Sequence, residues 1–318
     1  MKKLIGVFIF CFLLNGCDDG DIVVETINFD NITALKCDTK EIVYKIKDDQ
    51  ILQINLTLEE YNRLFINEPG TREIPINNPN TVRYRFYNGT VSQDNICSDL
   101  QPATPTVISE WIGTSGKISV TTTVINTAPN PETGATNISR YNHQISFINI
   151  DFSKPDGVQN FDVYTFGDFP IQPAALPLTF NPGQLKLCAS GTALYNVALT
   201  NNAAMLLTNL DPELLSTTPE NLDVVKSRPL STTSNYLRFV VLPNTILPAD
   251  AENYFCNYTG VPAQDWIAQG GTVEVVSTTS GSNQYSHTIR LKGVTFTKNG
   301  SSFYYGNDII YGTFLQQL

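Results

Sequence analysis

Both tryptophans and both histidines of this 318-residue chain fall at matching places in two successive halves. Phe29, Cys37, Val43, Tyr44 and Ile46 correspond to Phe180, Cys188, Leu194, Tyr195 and Val197 at a constant offset of 151. The order then continues unbroken. Leu56-Thr57 meets Leu207-Thr208, Arg85-Phe86 meets Arg238-Phe239, and Trp111-Ile112 meets Trp266-Ile267. Gly116, Ile118 and Val120 become Gly271, Val273 and Val275. Tyr141, His143, Ile145, Phe147, Ile150, Phe152 and Lys154 become Tyr285, His287, Ile289, Leu291, Val294, Phe296 and Lys298. Solenoids and propellers repeat every 20 to 50 residues, whereas a period near 150 is the size of a whole domain. The expectation is two tandem homologous domains, 26–168 and 178–318. The connection 169–177 carries Pro170, Pro173 and Pro177, which should interrupt any ladder and stiffen the link.

The local pattern reads almost entirely as strand. Glu41–Lys47 and Ile51–Thr57 are β-rich runs on either side of Asp48-Asp49-Gln50, which predicts a hairpin. Lys117–Asn126 alternates with period two, as does Tyr141, His143, Ile145, Phe147. The apolar parity then changes before Ile150 and Phe152, and again before Val294 and Phe296. A bulge, or a strand passing between two sheets, produces such a change. Thr57-Leu58-Glu59-Glu60 has the capping-box pattern before a short helix ending near Phe65. Its counterpart Asp211-Pro212-Glu213-Leu214-Leu215 places proline at the first helical position. Short strands separated by Asn, Gly and Pro predict an all-β chain of two β-sandwich domains, immunoglobulin-like connections being one form of it. A small barrel is the alternative.

Lys2 and Lys3 precede an apolar run from Leu4 to Leu14, the charged start and hydrophobic core of a secretory signal, too short to span a bilayer. Leu14-Asn15-Gly16-Cys17 then resembles the lipobox of bacterial lipoproteins. That resemblance covers about the first twenty residues. It implies removal of residues 1–16 and lipidation of Cys17, whose several acyl chains would anchor the chain stably. Asp18, Asp19 and Asp21 resemble the export signals that direct lipoproteins to the cell surface in Bacteroidota. The alternatives are inner-membrane retention, as implied by aspartate after the cysteine in other Gram-negative bacteria, and a plain solvated tether. The implied location is the outer membrane, lipid-anchored and surface-facing, with the periplasmic face as the other choice. The acidic tether 17–25 reaches at most roughly 28 Å from Cys17 to the first apolar alternation, at about 3.5 Å per residue. That keeps the first domain near the membrane.

Without Lys2 and Lys3 the 20 basic residues fall to 18 against 30 acidic ones, a net charge of −12. No Lys or Arg cluster follows the leader, so the basic stripe that nucleic acid requires is missing. Of the six cysteines, Cys11 leaves with the leader and Cys17 takes lipid, which leaves Cys37, Cys97, Cys188 and Cys256. Four cysteines allow three connectivities, with buried free thiols as a further alternative. The duplication favours Cys37 with Cys97 and Cys188 with Cys256. Metal ligation lacks a C-x-x-C pair and has one histidine per half, so neither a metal nor a cofactor is expected.

Function then rests on few residues. His143 and His287 lie inside alternating strands between a tyrosine and an isoleucine, positions that suit structural histidines; neither sits in H-E-x-x-H. There is no G-x-S-x-G elbow. A paired-carboxylate glycan hydrolase would draw its acids from distant strands, yet Asp151 becomes Thr295 in the second half. No catalytic residue is expected. The single acid–aromatic coincidence is Glu110-Trp111 with Asp265-Trp266, which would offer a sugar ring a stacking face and an acceptor. A tryptophan plugging the end of the sandwich beside an exposed acid is the competing reading. Sequons such as Asn31-Ile32-Thr33 and Asn88-Gly89-Thr90 carry no weight behind a bacterial leader. The polar tract Thr127–Asn137 is longer than its counterpart Thr279–Asn283, and a lengthened loop is either a recognition element or a tolerated insertion. Two functions fit. One is a non-catalytic envelope module presenting its domains to a glycan or protein near the membrane. The other is a structural or assembly subunit of an outer-membrane complex.

Overall fold

The computed structural model describes residues 26–257 and 260–317. The leader, Cys17 and the acidic tether through residue 25 lie outside the described residues. Residues 32–317 form one compact unit containing both halves, and the described residues 26–31 before it belong to another. The described part of the latter is a loop, in which the Asp30 amide donates to the Asn28 side chain at 3.0 Å.

The chain is all-β, as its alternation predicts. In the first half, β1 (Leu35–Lys36), β2 (Ile42–Lys47) and β3 (Gln50–Asn55) are followed by helix α1 (Leu58–Leu64), β4 (Gly70–Pro75) and β5 (Thr81–Tyr87). Helix α2 (Asp94–Cys97) then leads to three long strands, β6 (Val107–Asn126), β7 (Ile138–Lys154) and β8 (Gly157–Ile171). The sheet runs β1-β2-β3-β5-β6-β7-β8, with β4 joined to β6 off that path. β1 and β8 end it, so it is an open sheet and not a closed barrel. The β2–β3 turn is the two residues Asp48-Asp49, with Asp48 in the left-handed region at φ 53°.

The long strands serve two layers. β5 pairs with β6 over Val107–Ile112, while β4 pairs with it over Lys117–Thr122. Between those stretches the β6–β7 register shifts twice, at Gly113/Ser115 and Ser115/Lys117. This is the break in parity that the sequence shows. Gly116 sits there at φ +98°, where a Cβ would lie 2.6 Å from the carbonyl oxygen of Asn149, so only glycine lets the strands cross so closely.

The second half divides the same path at the same places. β9 (Lys186–Leu187), β10 (Leu194–Val197) and β11 (Ala203–Thr208) precede β12 (Val225–Pro229), β13 (Tyr236–Val241), helix α3 (Ala251–Cys256) and β14 (Gln264–Gln269). β15 (Thr272–Thr279), β16 (Gln284–Lys292), β17 (Val294–Lys298), β18 (Ser301–Gly306) and β19 (Ile309–Gln317) complete it. One sheet is β18-β17-β14-β13-β11-β10-β9 and the other β12-β15-β16-β19. Gly271, the counterpart of Gly116, also has positive φ, at +91°, and its Cβ would lie 2.8 Å from the Lys292 carbonyl oxygen. Buried Leu207, Phe239, Ala268, Phe296 and Phe303 from one sheet meet Val273, Val275, Ile289 and Leu291 from the other. Two sheets sharing one apolar core make a sandwich.

Each half also has a smaller core beneath its disulfide. Cys37–Cys97 and Cys188–Cys256 close loops of 60 and 68 residues, the pairing favoured by the repeat. Cys37, Tyr44, Ile51, Tyr87, Val91 and Ile96 pack under α2, and Tyr195, Leu206, Val240 and Phe255 pack under α3. A crosslink over loops of that length stabilises the fold by roughly 4 kcal/mol.

Two local expectations need revision. Thr57 caps α1 by accepting from the Glu60 amide at 3.2 Å, but its own N–H donates to Asn80 Oδ1 and Glu60 pairs with Arg63. The capping box is therefore half formed. Pro170 does not interrupt the ladder: it lies within β8 opposite Asn142. β8 is an edge strand, where a residue without an N–H has no second neighbour to disappoint.

Candidate functional site

The acid–aromatic pairs occupy the strands expected of them, and the geometry spends both on structure. Trp111 on β6 lies opposite Tyr84 of β5, and Trp266 on β14 lies opposite Phe239 of β13. Their exposures are 2% and 3%, so neither offers a face on which a sugar ring can stack. The stacking partners are internal. Tyr84 meets Trp111 edge-on at 5.3 Å, Phe303 meets Trp266 at 5.2 Å, and ammonium groups stand over the indoles, Lys154 at 5.1 Å and Lys298 at 5.9 Å.

The neighbouring acids point to the opposite face, since successive residues of a strand alternate. Glu110 accepts from Arg85 Nε at 2.6 Å and from Arg83 at 3.0 Å. Asp265 accepts two hydrogen bonds from Arg238, at 3.1 and 2.6 Å. Partial burial pushes the Glu110 carboxyl upward, but the hydrogen bonds from Arg85 and Arg83 outweigh it and hold the group below its ordinary value. An acid fixed in this way is an ion-pair partner and a poor proton donor. The proposed Glu110-Trp111 and Asp265-Trp266 ligand sites are thus corrected to two equivalent structural clusters. Arg85 and Arg238, and Lys154 and Lys298, complete them; their equivalence is visible in the sequence, but their roles are not.

The histidines are equally internal, each wholly buried. Thr122 Oγ1 lies 2.8 Å from His143 Nδ1, and Ser277 Oγ lies 2.9 Å from His287 Nδ1. Gln316 Oε1 is 2.9 Å from His287 Nε2. That oxygen can only accept, so Nε2 carries the proton and Nδ1 accepts from the serine. Among the described residues His143 Nε2 has no such partner, the ring being flanked by Phe65 at 5.4 Å and Phe169 at 6.4 Å. Burial, reinforced by Arg72, pulls the His143 pKa down to about 4. Burial also lowers that of His287, with Lys226 adding to the effect and the Gln316 hydrogen bond opposing it.

Asp151, weighed as one of a pair of catalytic acids, accepts from Ser115 at 2.7 Å and Asn160 at 2.8 Å. Those bonds hold its carboxyl below the ordinary value. Among the described residues no group of three or more His, Cys, Asp or Glu side chains is arranged to hold a metal ion.

The lengthened loop Thr127–Asn137 joins the halves. Thr136 donates its N–H to the Tyr304 carbonyl at 2.8 Å, and Tyr304 returns its own N–H to Thr136 Oγ1 at 2.9 Å. Asn307 donates to the Thr133 carbonyl at 2.7 Å and Asn126 to that of Ser302 at 3.0 Å. A buried bond from Tyr141 to Ser301 at 3.0 Å lies behind them. The loop therefore lies along β18, covering an edge that would otherwise be bare. Beside it a cavity of about 300 Å³ is lined by Asn137, Ile138, Leu176, Leu178, Thr179 and Trp266, among others.

Compared with known proteins, the chain matches no family model, no curated protein and no solved structure. The functional reading therefore rests on the site itself.

Proposed function

We propose that this chain is a lipid-anchored protein of the cell envelope, held to the outer membrane through Cys17, that binds a protein partner and catalyses no reaction. The observation carrying this reading is that the acids, histidines and tryptophans singled out by the sequence are engaged in equivalent pairs in both halves: acid with arginine, histidine with hydroxyl, indole with ammonium. What remains for recognition is loops and strand edges. Descent of the two halves from one duplicated domain belongs to the same proposal and is supported by these shared pairs and the two equivalent disulfides. The glycan reading has lost the exposed indole on which it depended.

An assembly subunit of an outer-membrane complex is the second reading. The hydrogen-bonded joint between the halves favours it, because such a joint transmits a fixed geometry. Crosslinking of the full-length lipidated protein in intact cells, with mass spectrometry of the products, tests both. One envelope protein recovered in constant stoichiometry is the expected result. Glycan hydrolysis that disappears with Glu110→Gln or Asp265→Asn would contradict the non-catalytic reading.

A further inference from the structure

The segment that joins the halves encloses a space against the second one. Residues 173–179 supply one wall of the cavity of about 300 Å³, Asn137 and Ile138 at the end of the 127–137 loop supply another, and Trp266 of β14 completes the lining. Backbone bonds fix both walls. Leu178 donates to the Leu176 carbonyl at 2.9 Å, Leu199 to that of Thr179 at 3.0 Å, and Thr127 to that of Asn137 at 2.8 Å. Ile138, Leu176 and Leu178 also pack against the core shared by the two sheets. A cavity framed in this way exists before anything enters it, as ligand sites generally do. Asn137, Ala174, Ala175 and Thr179 are exposed, so it is reached from solvent.

The chemistry of the lining selects an uncharged guest. Pro173, the two alanines, Ile138, Leu176 and Leu178 are apolar. The Trp266 indole donates its N–H to Gln264 Oε1 at 3.0 Å and so has only apolar surface to offer a ligand. Asn137 and Thr179 supply one amide and one hydroxyl, and the lining contains no acid or base. Lys298, whose ammonium stands 5.9 Å from the Trp266 ring, is not part of it. An ionised group placed there would give up water without gaining a counter-ion. Volume then sets the size. A cavity of about 150 Å³ takes one benzene, so twice that volume, filled equally, takes about a dozen non-hydrogen atoms.

We infer that this cavity binds a small neutral amphiphile, such as an alcohol or amide carrying an apolar body of about eight to ten carbons. The apolar body lies against Ile138, Leu176, Leu178 and Trp266, and the polar end meets Asn137 and Thr179. This capacity is separate from the binding of a protein partner, so its failure would leave that reading untouched, and recovery of no partner in cells would leave this one untouched.

The test uses the full chain and a matched pair of probes, 8-bromo-1-octanol and 8-bromooctanoate. Bromine quenches an indole it touches, so tryptophan emission reads occupancy directly. The alcohol is expected to quench saturably, and 1-octanol to reverse the quenching. The carboxylate should bind at least about tenfold more weakly, because its charge has no partner in the lining. Quenching should persist in Trp111→Phe and vanish in Trp266→Phe, where Trp111 still emits. Ala175→Phe, a change at an exposed position that fills the cavity and leaves the core intact, should weaken binding about tenfold or more. Asn137→Ala combined with Thr179→Val should weaken it about fivefold, as loss of a hydrogen bond does. Quenching that is absent or rises without saturation, equal binding of both probes, quenching that survives in Trp266→Phe, or indifference to Ala175→Phe overturns the assignment and makes the cavity a water-filled gap beneath the join.

Discussion

The two halves of the unit share their inner contacts and differ at their margins. In both, a tryptophan lies beneath a lysine, an acid is held by arginine, and a histidine bonds a hydroxyl on the neighbouring strand. The first half makes these contacts on three continuous strands that bend through two layers; the second makes them on strands that are cut. The second half covers its β18 edge from within the chain and gives its histidine a second partner, Gln316. In the first, β8 ends the sheet and, among the described residues, His143 Nε2 has no hydrogen-bond partner. The difference teaches where constraint lies: close packing holds the interior to one solution, while an edge is free to be covered by whatever lies alongside.

The comparison is broken most severely at the indoles. Trp111→Ala and Trp266→Ala should each cost about 3 to 5 kcal/mol, as large-to-small changes in a packed core do, measured by denaturant unfolding. A cost near zero at either would mean that the equivalence is one of position alone. Breaking one disulfide, by Cys37→Ser or Cys188→Ser, should cost roughly 4 kcal/mol in the same assay, with similar values because the loops are of similar length, 60 and 68 residues.

The histidines sharpen the contrast through pH. His143 has its folded pKa lowered to about 4, from an ordinary value of 6.5. Its contribution is therefore fully present above pH 6.5 and is lost as pH falls toward 4, where the unfolded chain binds a proton that the buried ring refuses. The loss is on the order of 3 kcal/mol by linkage. His143→Gln should flatten the fall in melting temperature between pH 7 and pH 4.5. His287→Gln should flatten it less, because the Gln316 hydrogen bond opposes burial there. The smallest expected effect is at the ion pairs. Glu110→Gln and Asp265→Asn leave partly exposed arginines that water can still reach, so each should cost about 1 kcal/mol or less.

Much of this was legible in the sequence wherever one residue constrains its own neighbourhood. The break in parity before Ile150 and Val294, the cysteine pairing and the inward histidines follow from alternation and from the matching order of residues in the two halves. Other features depend on partners far away in the chain. Alternation places Glu110 and Trp111 on opposite faces but does not say which face is covered, so the indole could be mistaken for a ligand platform. The excess length of Thr127–Asn137 was visible, yet nothing local reveals that it lands on β18. Pro170 reads as a breaker unless its strand is known to be an edge. The box at Thr57 is half formed because Asn80, twenty-three residues on, takes the amide that Glu60 was expected to take.

The central claim is that the 127–137 loop covers the β18 edge while no backbone bond from a described segment reaches the outer side of its counterpart in β8, and residue-resolved amide exchange of Tyr304 and Asn160 in the full chain tests it most directly. The Tyr304 amide, bonded to Thr136, should be protected by a factor of about ten or more relative to that of Asn160, which lies at the same place in β8. Equal protection of the two would contradict the account.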